Sequence, residues 1–338
     1  MNKTNKIIIF ILFILIFGLC ILTYINNLKE KQEHILNLFY MDTHIYIKFK
    51  EKDLNKAKKI EKEIEKIYDN YHKLTDRYNS YEGINNIYYI NYNNSNDEFL
   101  TLDKELYNII KIGKEMHQKS NYKLDISMGN VIDIWRSYRE SKIGIPTYDE
   151  LKKVDTNSID DIILLDDYKI KNNHPNIDLG SIAKGYATEK VGEYLKRMNV
   201  TEFLINAGGN VLVGKKDNNE PYKVGLENPN STSGEVFKVL KISSKSVVTS
   251  GGYERNYIYN GQTYHHIIDP DTLFPSNYMK SVTVITDSST YGDFLSTTLF
   301  LMNIEDGKKY VDSLDNVEAI WYSNDNEIIT SKGLNKYE

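Results

Sequence analysis

The chain has 338 residues, a formal charge of −5, 26% charged residues and 41% apolar ones, enough apolar material for one large core or two ordinary ones. The mild acidity leaves no basic excess of the kind nucleic-acid binding needs, and one cysteine excludes intrachain disulfides and cysteine metal clusters. No heptad array, solenoid period or collagen repeat is present, so fibrous architectures are excluded too.

The run from Ile7 to Ile25 carries no charge, and its length matches the roughly 20 residues a helix needs to cross a bilayer. Lys3 and Lys6 precede it, while Lys29 and Lys31 behind it are offset by Glu30 and Glu33. The positive-inside rule then puts the N-terminus in the cytoplasm and the rest outside. Three readings are open: a retained anchor, a cleaved lipoprotein signal acylated at Cys20, and a buried core helix. The length of the run and the lack of an A-x-A-like cleavage site favour the anchor. Leu19 stands where a lipoprotein signal wants a small residue. Residues 1–26 are read as membrane anchor or lipoprotein signal, 27–37 as a polar stalk, and 38–335 as one domain on the extracytoplasmic side of the cell membrane.

Phe39 to Phe49 alternates in a strand-like way. From Asp53 to Leu74, apolar residues at spacings of three and four predict an amphipathic helix. A second helix is expected from about Asp103 to Gln118. Ile177 to Gly180 reads as a strand ending in a glycine turn, followed by a helix through Ala187, Val191 and Leu195. Strands are expected at Phe203–Ile205, Val211–Val213, Tyr222–Leu226, Phe237–Ile242, Ser246–Thr249, Asn256–Tyr259 and Val282–Ile285. A last helix over roughly Ser289 to Met302 precedes strands at Ala319–Tyr322 and Glu327–Thr330. Strands joined by short turns and flanked by three or four helices indicate an α+β fold with mainly antiparallel sheet.

P-loop, H-E-x-x-H, G-x-S-x-G and Rossmann signatures are all absent. Four local features could carry chemistry. Asp178 to Tyr186 (DLGSIAKGY) places Lys184 at a helix start, where exposed N–H groups suit a phosphate; a strand-to-helix turn with a surface lysine is the plainer account. Asp293 and Thr297 lie four apart on one helix face, hard oxygens that suit Mg²⁺ or Ca²⁺; a surface aspartate with a back-bonding threonine is the plainer account. His265 or His266, ahead of Asp269-Pro270, could accept a proton or be an ordinary strand histidine. Asp125-Ile-Ser-Met-Gly129 leads into the apolar stretch Val131–Trp135 and could wall a pocket for a flat ring or start a core helix.

Together and in this order these stretches resemble the ApbE family, the FAD:protein FMN transferases. The resemblance covers about Phe39 to Met302. It rests on Met41-Asp-Thr, on Leu74-Thr-Asp-Arg-Tyr78-Asn-Ser-Tyr81 with Ile90-Asn91, and on Asp125 to Gly129. Asp178 to Tyr186, Asn206-Ala-Gly-Gly-Asn210, Thr249-Ser-Gly-Gly-Tyr-Glu-Arg255, His266-Ile-Ile-Asp-Pro and Asp293-Phe-Leu-Ser-Thr297 complete it. Two departures stand out: Ile126 where the family commonly has proline, and Leu273 where it usually has glycine.

The resemblance implies transfer of the FMN half of FAD to a Ser or Thr hydroxyl of another protein, with release of AMP. It implies Mg²⁺ (or Ca²⁺) held by Asp293, Thr297 and the backbone oxygen near Ser181, with Lys184 neutralising phosphate charge. Asp178 and the loop of Asp125, Ile126 and Ser127 would hold the adenine or ribose side. Met41, Tyr78 and Ile267 would line the pocket, with Tyr81 as the alternative to Tyr78, and His266 would be the base. Expected partners are membrane-associated redox proteins. Hydrolysis of FAD to FMN and AMP, or plain FAD binding by a lipoprotein, are the alternative activities.

Overall fold

The computed structural model describes residues 9, 11–21, 30–231 and 233–338. Residues 9 and 11–21 are helical, with Phe13 and Leu19 exposed; residues 1–8, 10 and 22–26 of the expected anchor, and the stalk up to residue 29, lie outside the described residues. Among the described residues no helix is long and apolar enough to cross a membrane.

Where a polar stalk was expected, β1 (Gln32–Tyr40) already pairs antiparallel with β2 (Thr43–Glu51), from Gln32↔Glu51 to Tyr40↔Thr43. One face of β1 is covered, with Leu36 buried, and the other presents Glu33, Ile35, Asn37 and Phe39 to water, a mixed face that disguises a strand. Met41 and Asp42 turn the hairpin with φ of 54° at both positions, the left-handed pair that a two-residue I′ turn requires. No Asn-Gly or Asp-Gly marks this turn, which is why Phe39–Phe49 reads as a single strand.

Helix α1 (Leu54–Thr75) begins at Asp53, whose carboxylate accepts the Asn55 and Lys56 N–H groups, and buries Ala57, Ile60, Ile64, Tyr68, Tyr71 and Leu74 along one face. Then come α2 (Ile87–Tyr92), β3 (Phe99–Thr101), α3 (Lys104–Lys119), α4 (Gly129–Ser141), α5 (Tyr148–Val154), β4 (Leu164–Leu165) and β5 (Lys169–Lys171). Ile177–Leu179 joins no sheet; the Asp178 N–H donates to the Ile126 carbonyl at 2.8 Å instead. After α6 (Ala183–Arg197) the chain runs through β6 (Phe203–Ala207), β7 (Asn210–Val213), β8 (Tyr222–Glu227), β9 (Val236–Ile242), β10 (Ser246–Gly251), β11 (Asn256–Tyr259), β12 (Gln262–His265) and β13 (Ser281–Thr286). Helix α7 (Ser289–Phe300) stops two residues before the expected Met302, and a further helix α8 (Ile304–Asp312) precedes β14 (Glu318–Tyr322) and β15 (Ile328–Thr330).

Eight strands form one antiparallel sheet in the order β1-β2-β6-β7-β10-β13-β14-β15. One face carries α1, α6 and α7, whose Ile64, Leu195 and Phe294 meet Ile205 and Val284 of the sheet. The other face is covered by the β8–β9 ribbon, which lays Val224, Leu240 and Ile242 on Val247, Ile285 and Ile320. Every residue of β13 is therefore buried. A smaller cluster of Val131, Trp135, Leu151, Tyr257 and Leu273 ties α4 and α5 to the β11–β12 ribbon. The α+β architecture follows the sequence pattern, with more helices than the three or four expected.

Candidate active site

A cavity of about 340 Å³ opens between α7, the turn into α6, the end of α1 and the loop after β12. On one wall, Asp293 is 5% exposed and its Oδ2 accepts the Gly185 N–H at 2.8 Å. That contact exists because position 185 has no side chain: a Cβ there would collide with the Ser289 carbonyl and come within 2.7 Å of the Asp293 Cβ. Lys184 Nζ donates to the Gly180 carbonyl at 3.1 Å and lies 3.9 Å from Asp293 Oδ1. Burial raises the Asp293 carboxyl above its ordinary range, and Lys184 offsets this only in part. One turn further, the half-buried Thr297 lines the same cavity, as does Ser181 from the turn.

Asp178 is anchored from behind. Arg77, 4% exposed, donates from Nη1 to Asp178 Oδ2 at 2.9 Å and from Nη2 to Asp133 Oδ2 at 2.8 Å, Asn176 Oδ1 at 2.9 Å and the Gly129 carbonyl at 3.1 Å. Gly180 N–H occupies the other oxygen of Asp178 at 2.8 Å. Burial alone would raise the Asp178 carboxyl, but the Arg77 charge and these hydrogen bonds outweigh it and hold it below the usual range. The carboxylate thus has a fixed charge and a fixed orientation.

The opposite wall is made of loops. Met41 and Tyr78 face the cavity, and the Arg136 guanidinium stacks 3.7 Å over the Tyr78 ring. Tyr81 does not line the cavity; its hydroxyl meets His72 and Asp76 instead. The two adjacent histidines part company: His265 Nε2 bonds the Ser276 carbonyl at 2.7 Å and its Nδ1 accepts the Ile267 N–H at 3.2 Å. His266 points the other way, lines the cavity, and its buried Nδ1 has no hydrogen-bond partner. Burial, with the nearby Arg255 and Lys184 charges adding, lowers the His266 imidazole to about 3. It is therefore neutral across the physiological range.

Of the residues singled out in the sequence, Met41, Tyr78, Asp125, Asp178, Ser181, Lys184, His266, Ile267, Asp293 and Thr297 meet around this one cavity. Ile126 and Ser127 do not. Both are buried, Ile126 packing in the main core and Ser127 donating its N–H and Oγ–H to Asp125 Oδ1 at 2.8 and 2.6 Å. The Ile126 carbonyl accepts the Asp178 N–H behind the cavity wall. Leu273 keeps a glycine-like φ of 63° while 3% exposed. Burying leucine is worth about 1.5–3 kcal/mol, which covers a left-handed cost of roughly 1–2 kcal/mol. Arg77 lies inside the Leu74–Tyr81 stretch, but its tie to Asp178 depends on a residue 101 positions away. Glu254 and Arg255, at the end of the Thr249–Arg255 stretch, and Arg139, which lies in no motif, also line the cavity.

The ApbE family profile matches residues 41–321, well over half of the chain. A Klebsiella pneumoniae protein named FAD:protein FMN transferase is 29% identical over 238 residues, covering 69% of this chain and 73% of its own. A Buchnera aphidicola (subsp. Baizongia pistaciae) protein of the same name is 30% identical over 268 residues, 75% of each chain. Among solved structures, the Thermotoga maritima ApbE protein superposes with a TM-score of 0.81 at 25% identity, covering 91% of this chain and 99% of that one. The Vibrio cholerae flavin transferase ApbE shares the fold, with a TM-score of 0.76 at 20% identity over 91% of this chain and all of its own. With the profile spanning both walls of the cavity, from Met41 to beyond Thr297, this chain belongs to the ApbE family.

Proposed function

We propose that this chain is a flavin transferase that moves the FMN half of FAD onto a serine or threonine hydroxyl of a partner protein and releases AMP. One observation carries the reading: a buried carboxylate, a hydroxyl, a lysine and a neutral imidazole from distant stretches of chain meet in one cavity. The relatives named FAD:protein FMN transferase support it.

The donors fit a hard divalent cation. Asp293 is a buried carboxylate whose charge the chain offsets only in part, with the Thr297 hydroxyl one turn away and the Ser181 turn beside it. Among the described residues no three His, Cys, Asp or Glu side chains could hold a metal. One carboxylate, one hydroxyl and a turn carbonyl leave positions for water and substrate phosphates, the coordination Mg²⁺ takes. When bound, Mg²⁺ would supply positive charge at the diphosphate.

The chain's own groups do the rest. Lys184 offsets diphosphate charge, Asp178 accepts from the nucleoside, and Met41, Tyr78 and Ile267 hold the planar ring. In the transfer, the acceptor oxygen bonds to the FMN phosphorus while the bond from that phosphorus to the AMP oxygen breaks. The acceptor proton passes to His266, and the electron pair leaves with AMP. A bound diphosphate offsets the Arg255 and Lys184 charges that depress His266, which raises its basicity when substrate is present.

We place this activity on the extracytoplasmic face of the cell membrane, on the strength of the apolar run Ile7–Ile25, with membrane-associated redox proteins as acceptors. Incubation with FAD, Mg²⁺ and such a protein should add the mass of one FMN to a Ser or Thr and release one AMP. Free FMN with no flavin on the protein would show hydrolysis instead, and tight FAD binding with no AMP would show a flavin-binding protein. Loss of activity on chelation, restored by Mg²⁺, checks the metal.

A further inference from the structure

The two ring-holding residues of the loop wall, Met41 and Tyr78, belong to separate segments joined by side chains outside the catalytic set. The Met41 N–H, in the left-handed turn between β1 and β2, meets His72 Nδ1 at 3.3 Å. On the far side of the same ring, His72 Nε2 lies 3.3 Å from the Tyr81 hydroxyl, and that hydroxyl is 2.9 Å from Asp76 Oδ2. Asp76 Oδ1 accepts the N–H groups of Tyr78 at 2.7 Å and Asn79 at 3.1 Å, and Asn79 Nδ2 donates to Oδ2 at 3.0 Å.

Donor and acceptor chemistry gives this chain of contacts one direction. A peptide nitrogen can only donate, so His72 Nδ1 is the acceptor and the ring proton sits on Nε2. Nε2–H then donates to the Tyr81 oxygen, and the Tyr81 proton goes to Asp76. Burial and the Asp76 carboxylate push the Tyr81 phenol up to about 12, so it keeps that proton. The network runs from the Met41 peptide to the turn that carries Tyr78. Tyr81 is itself held by a tight turn, with the Ile84 N–H on its carbonyl at 3.1 Å and Gly83 at φ 75°.

We propose that His72 and Tyr81 are positioning residues that set the gap between Met41 and Tyr78, and so the grip of the cavity on the planar ring of the dinucleotide. The proposal rests on the reading of FAD as substrate. His72 lines the cavity on the loop wall and Tyr81 does not; their polar contacts run to Met41 and Asp76 and none to Asp293, Lys184 or Ser181, so their loss weakens binding of FAD rather than the transfer step.

Tyr81→Phe keeps the ring against His72 and removes only the hydroxyl. The expected result is an FAD dissociation constant and KM raised about 5–10-fold, the scale of one neutral hydrogen bond, with kcat within about twofold. His72→Phe should do the same, and His72→Asn, whose side-chain oxygen still accepts the Met41 N–H, should recover part of the affinity. FAD affinity is read directly by flavin fluorescence, without an acceptor protein, and thermal melting confirms that each variant is folded. Parent-like FAD affinity in both Tyr81→Phe and His72→Phe, or a fall in kcat with KM unchanged, overturns the proposal. A parent chain that does not bind FAD overturns the functional reading and this inference with it.

Discussion

The helical wall of the cavity and the loop wall reach rigidity by different routes. Asp293 stands on α7, and its position follows from the close approach of α6 at Gly185, where the N–H reaches the carboxylate because no Cβ intervenes. Met41 and Tyr78 stand on turns, and their positions follow from side-chain bonds through His72, Tyr81 and Asp76. Close packing tolerates almost no change in volume, whereas a hydrogen-bonded turn tolerates it but fails when one polar atom is lost. In this protein the wall assigned to the phosphates is packed and the wall assigned to the ring is tied. Charge needs a fixed distance to be useful, and a flat ring needs a fixed gap.

The sharpest way to break this comparison is Asp293→Asn. The amide oxygen still accepts the Gly185 N–H, so the packing stays, while the charge goes. Mg²⁺-dependent AMP release should fall more than 10³-fold, about 4 kcal/mol of barrier, as followed by chromatography of the nucleotide. The melting temperature should not fall, because a carboxylate that burial pushes toward protonation is itself unfavourable to the fold.

Arg77→Met tests the anchor between the two walls. It leaves Asp178 and Asp133 without their guanidinium, and removing one partner of a buried ion pair costs about 3–5 kcal/mol. Urea unfolding should show a loss of that order, well beyond what an exposed arginine would give. Gly185→Ala tests the packed wall alone: overpacking of this kind costs about 1–3 kcal/mol, and Mg²⁺ affinity should fall with it, as read by calorimetry.

The smallest effect is a pH slope. His266 has an ordinary value of 6.5 when unfolded and about 3 when folded. Below pH 6.5 the unfolded chain takes up a proton that the folded chain refuses, so stability falls as pH drops from about 6.5 toward 3. The slope is at most about 1.4 kcal/mol per pH unit for one group, and His265, also lowered by burial, acts in the same direction. His266→Gln should flatten the urea-midpoint profile between pH 7 and 5; an unchanged profile would show that His266 is not buried as described.

The amphipathic spacing of Asp53 to Leu74 and the capping Asp53 were enough for α1, because a helix forms from contacts within a few residues. The β6–β10 strands and the order of the motif residues were readable for the same reason: alternation and glycine turns are local signals. What stayed hidden depended on residues far apart in the chain. Residues 32–37, expected within the stalk, proved to belong to an edge strand because β2 is there to pair with them, and Ile177–Leu179 proved not to be one because no strand is. The sequence alone determined the chemistry available: carboxylates, lysine, histidines and hydroxyls in a family-like order. Only the tertiary structure decided that His266 rather than His265 enters the cavity, and that Arg77, 101 residues from Asp178, fixes it. Burial and charge at a site are sums over neighbours in space, and no local pattern carries those sums.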